Sequence, residues 1–287
     1  MTVPASLSIG SDERLARRES KARTRLQARL FDGLASAAGG LVVLGVWEAT
    51  VRLLHVSKFI LPPPSLIIGQ LVARFGELMY ALAFTATITL AAFALATLSG
   101  VLLGVLLTQN ARVERMLWPY AIALQVTPMV AIAPLVVIWV GLDHAWLALM
   151  ILAWIVAFFP VLSNTMVGMK STDHGLRNLF SLYRASRTKR FLYLELPSAL
   201  PYILAGLRVS AGLSVIGAVV AEFVAGSGSA TGLAWTIVSS GTMLDIPQMF
   251  AALIVLAVFG LLMNGAVALI QHFLLGAWHE SAVRQEN

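Results

Sequence analysis

The groups able to do chemistry in this chain are few. Glu48 and Glu222 fall inside long apolar runs, where an unpaired carboxylate is costly and by default marks function. Glu222 reads either as part of a pathway or gate, or as an interfacial cap or ion-paired group; Glu48 reads as a structural pair with an intramembrane hydrogen-bond partner. The histidines at 55, 144, 174, 272 and 279 are scattered at the edges of apolar runs or in loops, without the clustered spacing of metal ligands, so no metal site is expected. There is no Cys, which excludes disulfides, thiolate metal sites and Cys nucleophiles. No Gly-x-x-x-x-Gly-Lys-Ser/Thr sequence occurs, so the chain has no P-loop with which to bind nucleotide. No catalytic residues and no cofactor bound by this chain are expected.

The longest polar interruption runs from Ser171 to Pro201. It carries Lys170, Arg177, Arg184, Arg187, Lys189 and Arg190 in and beside it, while Leu176, Leu179, Phe180 and Tyr183 recur at helical i, i+3, i+4, i+7 spacing. That pattern predicts a short amphipathic helix with Ser171, Thr172 or Asp173 as N-cap. The Leu196-Pro197 and Leu200-Pro201 pairs are expected to break the backbone before the next span. Such a helix either lies on the inner membrane surface, apolar face in lipid, or docks onto a partner protein.

The elements that position this loop are hydrocarbon-spanning helices. Apolar residues make up 59% of the 287 and charged ones 12%, against roughly 25% charged in soluble domains. The fold class is therefore all-α, a polytopic membrane protein with six transmembrane helices. A basic N-terminal tail occupies 1–32, a six-span transmembrane domain 33–275, and a short C-terminal tail 276–287. The net charge of +6 reports membrane topology rather than nucleic acid as a partner.

Span 1 covers about 33–54 and is followed by Leu61-Pro-Pro-Pro-Ser65, an extended turn that three prolines force. Span 2, about 80–108, presents Gly100 and Gly104 as a small-xxx-small surface. Span 3, about 117–142, holds Pro119, Pro128 and Pro134, and is expected to be kinked and to line a pathway, because internal prolines free carbonyls that neighbours or a wet cavity must satisfy. Span 4 covers about 145–167 and contains Pro160 and Asn164. Span 5, about 202–226, has Gly206, Ser210, Gly212 and Gly217 for close helix approach. A flexible GSGSATG turn at 226–232, an amphipathic piece too short to cross, and span 6 at about 247–275 complete the domain.

Lys and Arg number 7 in the N-terminal tail, 2 at 109–116, 6 at 168–201 and 1 at the C-terminus, against 3 (Arg52, Lys58, Arg74) on the other face. The positive-inside rule then places both termini and the 168–201 loop in the cytoplasm.

The run LYRASRTKRFLYLELPSALPYILAGLR resembles the coupling loop of permease subunits of binding-protein-dependent ABC importers. Placing Leu196 and Pro197 on the family's Leu-Pro puts Leu194 at its Ile, Arg184 at its Gly, and Asn178, Leu179 and Phe180 at its Glu-Ala-Ala. Ala185, Ser186, Arg187 and Phe191, with LPPPS, the Pro-rich LQVTPMVAIAPLVVIWVGL and SVIGAVVAEFVAG, resemble the nitrate/sulfonate/taurine branch. The similarity covers about 40–280. It implies that the loop, from Leu176 through Tyr183 to Pro197, couples to cytoplasmic ABC ATPase subunits that use the ATP. It also implies a periplasmic solute-binding protein docking near 226–245, and a homodimer or paralogous pair in the inner (plasma) membrane among lipid.

Pro128, Pro134, Ser210 and Glu222 are the expected pathway or gate residues, and the resemblance implies a small anion of the nitrate, sulfonate or taurine kind as solute. A pyrimidine precursor or a riboflavin-like solute is the alternative. Arg184, in place of the family's Gly, is expected to remove the conformational freedom of the turn between the loop's two short helices. A stand-alone channel or secondary transporter would need charge relays or repeats that the sequence lacks. A membrane scaffold would leave the Pro-rich span 3 without a purpose.

Overall fold

The computed structural model describes Ala35 and residues 38–225 and 231–275, all of whose regular elements are helical. Both expected tails and residues 226–230 of the glycine-rich turn lie outside the described residues. The chain divides into two compact units, Met1–Ile67 and Ile68–Asn287.

In the first unit, helix α1 (38–53) ends in a left-handed residue, His55, at φ 48°. The Val56 N–H returns to the Val51 carbonyl at 3.0 Å and the His55 N–H to that of Arg52 at 3.3 Å, the paired closure of a Schellman C-cap. Glu48 accepts from Arg52 Nε (2.5 Å), from Ser65 N (3.0 Å) and from Ser65 Oγ (2.7 Å). The carboxylate thus holds the end of the triple-proline turn and one of the orphan N–H groups that open α2 (Pro64–Ala73). The structural pairing expected of Glu48 is present.

In the second unit the helices are α3 (Phe75–Thr108), α4 (Ala111–Val126), α5 (Met129–Val140), α6 (Ala145–Lys170), α7 (His174–Leu182), the single turn α8 (Arg187–Arg190), α9 (Leu196–Ala225), α10 (Leu233–Thr242) and α11 (Ile246–Leu275). Among the described residues four helical runs are long and apolar enough to cross a membrane, and α4 with α5 makes a fifth if the bent pair is one span. The first expected span is helical over 38–53, and its beginning lies outside the described residues. Span 3 is broken rather than kinked: α4 and α5 meet at 100°, with Pro128 as the extended N-cap of α5. Pro119 and Pro134 remain inside helices.

A second difference concerns the two Leu-Pro pairs. They do not interrupt the chain. A π-helical turn, Phe191–Glu195, joins α8 to α9, so that 187–224 forms a single helical run. The wider turn gives the Pro197 ring room in the helix, the Leu196 N–H reaches back to the Phe191 carbonyl, and Ser198 Oγ donates to the Leu194 carbonyl at 2.7 Å. At Pro197 the lost backbone bond falls next to that slack turn, whereas Pro201 is carried inside α9 itself.

Helix α6 is the centre of this unit, flanked by α3 and the oppositely running α9. A Cβ on Gly100 would stand 2.8 Å from Val161 Cβ, and one on Gly104 2.7 Å from Thr165 Cβ. On the other flank, Gly206 lies under Asn164 and Gly217 against Ala153 Cα, each so close that an added Cβ would stand within 2.9 Å. Ser210 Oγ donates to the Ala157 carbonyl at 2.7 Å. A Cβ on Gly212 would meet nothing within 4 Å beyond its own helix. The glycines of span 5 are therefore not equivalent. Gly104→Val should lower the thermal midpoint of the detergent-solubilised protein, with an overpacking cost of about 1–3 kcal/mol, while Gly212→Ala should leave it unchanged. Fluorescence-detected gel filtration after heating checks both.

Candidate functional site: the α6–α9 loop and the opposite face

The α6–α9 loop starts where Ser171 closes α6, its hydroxyl donating to the Gly168 carbonyl at 2.8 Å. Asp173 then caps α7 by accepting from Leu176 N at 3.0 Å. Of the three candidate caps, the structure selects Asp173. No residue of α7 is buried: Leu176 and Leu179 are nearly half exposed, Tyr183 is 80% exposed, and Phe180 is half-buried. Leu182, which lay outside the expected apolar stripe, is also 80% exposed. An apolar helix face left open at the end of two long helices is a surface for contact with something other than this chain.

Arg184 corrects an expectation. It adopts φ 48°, so the left-handed turn is kept with an arginine in it. Ala185 N–H bonds to the Phe180 carbonyl and Arg184 N–H to that of Ser181, both at 3.0 Å, which completes a Schellman motif at the end of α7. The side chain is tolerated because these two bonds offset a left-handed penalty of about 1–2 kcal/mol. Ser186 then opens α8 by accepting from Lys189 N at 3.3 Å, with Arg187 exposed as the first residue of that turn.

The expected coupling residues fall into two groups. Leu176, Asn178, Leu179, Tyr183, Arg184, Ser186 and Arg187 are exposed, with Phe180 and Ala185 half-buried beside them. Leu194 is buried and Leu196 and Pro197 are half-buried, and Leu196 packs with Phe191 on Met169, Ala199 and Ile203. These last residues root the loop in the bundle. Between loop and bundle lies a cleft of about 300 Å³, bordered by Lys170 paired with Glu114 and by Arg190 paired with Glu195. Arg177 Nη2 donates to the Met169 carbonyl at 3.1 Å.

On the opposite face Glu222 is fully buried. It accepts from Thr85 Oγ1 (2.7 Å) and from Ala234 N (3.0 Å), and Leu233 N donates to Thr85 Oγ1 at 2.9 Å. The carboxyl group therefore caps the N-terminus of α10 and ties it to α3. Gly232 is required here, because a Cβ would collide with that carboxylate. Of the two readings open for Glu222, the contacts are those of a cap. Nearby, Arg74 bonds Gln248 and pairs with Asp245 at 3.3 Å, fixing the start of α11 to that of α3. Thr85, Arg74 and Asp245 carried no signal in the sequence beyond their polarity.

Ser210 lies in the α6–α9 contact, fully buried. Pro134 is exposed on α5, and Pro128 sits at the α4–α5 break. A cavity of about 210 Å³ adjoins that break, bounded also by α6 near Pro160 and by Leu213 of α9. Pro128, Pro134, Ser210 and Glu222 are thus distributed over four environments and do not form one site.

These features define a helical membrane protein with an exposed amphipathic loop between two long helices. The description "Binding-protein-dependent transport system inner membrane component" matches residues 96–275. The chain is 33% identical to the formylaminopyrimidine transport permease protein of Halalkalibacterium halodurans, over 86% of this chain and 97% of that one. It is 31% identical to a putative aliphatic sulfonates transport permease protein of Bacillus subtilis, over 84% and 86% of the two chains. It is 28% identical to the taurine transport system permease protein of Escherichia coli, over 95% and 98%. A crystal structure of an amino acid ABC transporter with histidines shares the fold, with TM-score 0.55 and 15% identity over 71% of this chain and 95% of that one.

The chain belongs to the family of inner-membrane permease components of binding-protein-dependent ABC importers. It is a transport subunit rather than an enzyme, and the family implies an ATPase and a solute-binding protein as partners.

Two substitutions test the site. Arg184→Gly should preserve the α7 turn and raise stability by up to about 1–2 kcal/mol, read as unchanged or higher melting of the purified subunit. Glu222→Ala should cost about 1–3 kcal/mol for the unsatisfied groups it leaves, and limited proteolysis should then cut next to α10 faster than in the wild type.

Proposed function

We propose that this chain is the membrane subunit through which an ABC importer moves a small anion of the nitrate, sulfonate or taurine kind across the inner membrane. Two copies, or this chain with a paralogue, form the pathway. Both termini and the α6–α9 loop face the cytoplasm, where ATPase subunits bind α7 and its turn. A periplasmic binding protein delivers solute to the face that carries α10. The 1–32 tail, the 33–275 permease domain and the 276–287 tail divide the chain accordingly. No bond in the solute changes. ATP acts through the partner, and the switch between inward- and outward-facing states is driven by their different affinities for the ATPase dimer and the loaded binding protein.

The observation that carries this reading is the open apolar face of α7, set on a loop whose two ends are continuous with α6 and α9. A lever of that kind suits transmission of a partner's motion to the bundle. A second solute class, a pyrimidine precursor, is favoured by the 33% identity to the formylaminopyrimidine permease.

Phe180→Ala with Tyr183→Ala should uncouple ATP hydrolysis from uptake, lowering uptake about tenfold or more, as loss of about 1.4 kcal/mol of coupling would. ATP-dependent uptake into proteoliposomes containing permease, ATPase and binding protein checks it. Unchanged uptake together with unchanged ATPase association would overturn the assignment of α7.

A further inference from the structure

Positive charge is nearly absent from the long apolar helices of the second unit. In α3, α5, α6, α9 and α11 the only lysines or arginines are Lys170 and Arg208. Lys170 is the last residue of α6 and is paired with Glu114 in the first turn of α4. Arg208 stands near the middle of the 30-residue α9.

Its depth follows from the contact with α6. Gly206 lies against Pro160 and Asn164, which are ten and six residues before Lys170. Because α9 runs opposite to α6, Arg208 is two residues deeper again, about 12–18 Å from the level of Lys170 at 1.5 Å per residue. With 26 residues, α6 is about 39 Å long and more than crosses a hydrocarbon layer of roughly 30 Å. Arg208 is therefore at hydrocarbon depth.

It is exposed there, with no hydrogen bond or ion pair among the described residues. Glu222, the one acidic residue of the same helix, is buried and engaged with Thr85 and α10. Tyr202, Ala205, Val209 and Ile216 are exposed along α9 with it, away from the α6 contact made by Gly206, Ser210 and Gly217. A guanidinium set among acyl chains is costly, and charged groups at this depth face a bundle interior or a water-filled cavity. One turn away on either side stand Ala205 and Gly212, and a Cβ on Gly212 would meet nothing beyond its own helix, so the space beside the guanidinium is open.

We propose that this open strip of α9 lines the solute pathway, and that Arg208 is a cationic subsite for the oxyanion end of the solute, a sulfonate, carboxylate or nitrate-like group. The guanidinium offers N–H donors in a planar fork that two oxygens of such a group can meet at once. In a pair of permease chains each strip faces the shared pathway. The assignment rests on the importer reading above and narrows it: the anionic solutes are favoured over a neutral pyrimidine. Arg208 also takes the place of Ser210 and Glu222 as the pathway residue of α9, since both of those are spent on contacts within the chain. The competing fate of such an arginine is to snorkel to the headgroups, which would leave the strip in lipid.

The chain has no cysteine, so Ala205→Cys places one reporter thiol a turn from Arg208, with Gly212→Cys as a second reporter should the first fail to assemble. The transporter, assembled with its ATPase in phosphatidylcholine vesicles, is treated with two water-borne thiol reagents of similar size. One is the anionic sulfonatoethyl methanethiosulfonate, the other the cationic trimethylammonioethyl methanethiosulfonate. The expected result is labelling by both, with the sulfonate favoured. Adding Arg208→Gln should lower the sulfonate-to-ammonium rate ratio about tenfold, and Arg208→Lys should keep most of it. Labelling by neither reagent would place the strip in lipid and overturn the proposal. A ratio that Arg208→Gln leaves unchanged, or that Arg208→Lys loses as fully as Arg208→Gln, would overturn it too. Failure of the importer reading is a separate result: the wild-type assembly would then show no ATP-dependent uptake of any solute, whatever the labelling pattern.

Discussion

The close approach of α6 to α3 on one flank and to α9 on the other is the contact on which the remaining structure depends. Inside a bilayer there is no hydrophobic drive between helices, since lipid is as apolar as leucine, so association rests on tight van der Waals fit and interhelical hydrogen bonds. Gly100 and Gly104 admit Val161 and Thr165 of α6, Gly217 admits the backbone at Ala153, and Gly206 lies under Asn164. Ser210 adds a hydrogen bond from α9 to α6 in the middle of that contact. With α6 and α9 held together, the two ends of the intervening loop are held too. A displacement imposed on α7 therefore reaches the bundle through two packed helices rather than through a slack tether.

The two faces of the second unit solve opposite problems. At the loop face the local devices are surface ones: an Asp cap, a Ser cap, a left-handed Arg184 and two ion pairs around the cleft. They shape a short helix whose apolar side chains stay available. At the other face the polar groups are turned inward. Glu222 with Thr85 closes the start of α10, and Arg74 with Gln248 and Asp245 closes the start of α11. Separately, in the first unit, Glu48 holds Ser65 by the same chemistry. At α10 and α2 a helix N-terminus that would be left with orphan N–H groups is completed by a carboxylate from another element, while at α11 the carboxylate is Asp245, directly before the helix and held by Arg74. This is why charges placed in apolar runs need not be relays or gates.

Much of this was legible from the residues. Long apolar runs, the small-xxx-small pair at Gly100 and Gly104, the amphipathic period of α7 and the pairing of Glu48 each follow from a local rule that tertiary context did not override. The misreadings came from rules about what a side chain forbids. Proline at 197 and 201 was expected to stop a helix, but the first follows a π-helical turn and the second is carried inside α9. Arginine at 184 was expected to remove the conformational freedom of the turn, but the turn is left-handed there and two backbone bonds hold it. Proline at 128 was expected to kink, and instead breaks the span at 100° because Thr127 and Pro128 are both extended. The cap formed by Glu222, Thr85 and Gly232 joins residues 137 apart in sequence for one of its bonds, and nothing local could have announced it.

The most direct test of the central claim, that the α7 surface is the seat of the ATPase, uses the absence of cysteine in the chain. Tyr183→Cys puts one thiol at an exposed position of the α6–α9 loop, and a short heterobifunctional cross-linker is applied in native membranes with and without ATP. The prediction is a single adduct with a P-loop ATPase subunit, identified by mass spectrometry, whose yield changes when ATP is present. Adducts with lipid or unrelated proteins only, in membranes that still transport, would contradict it.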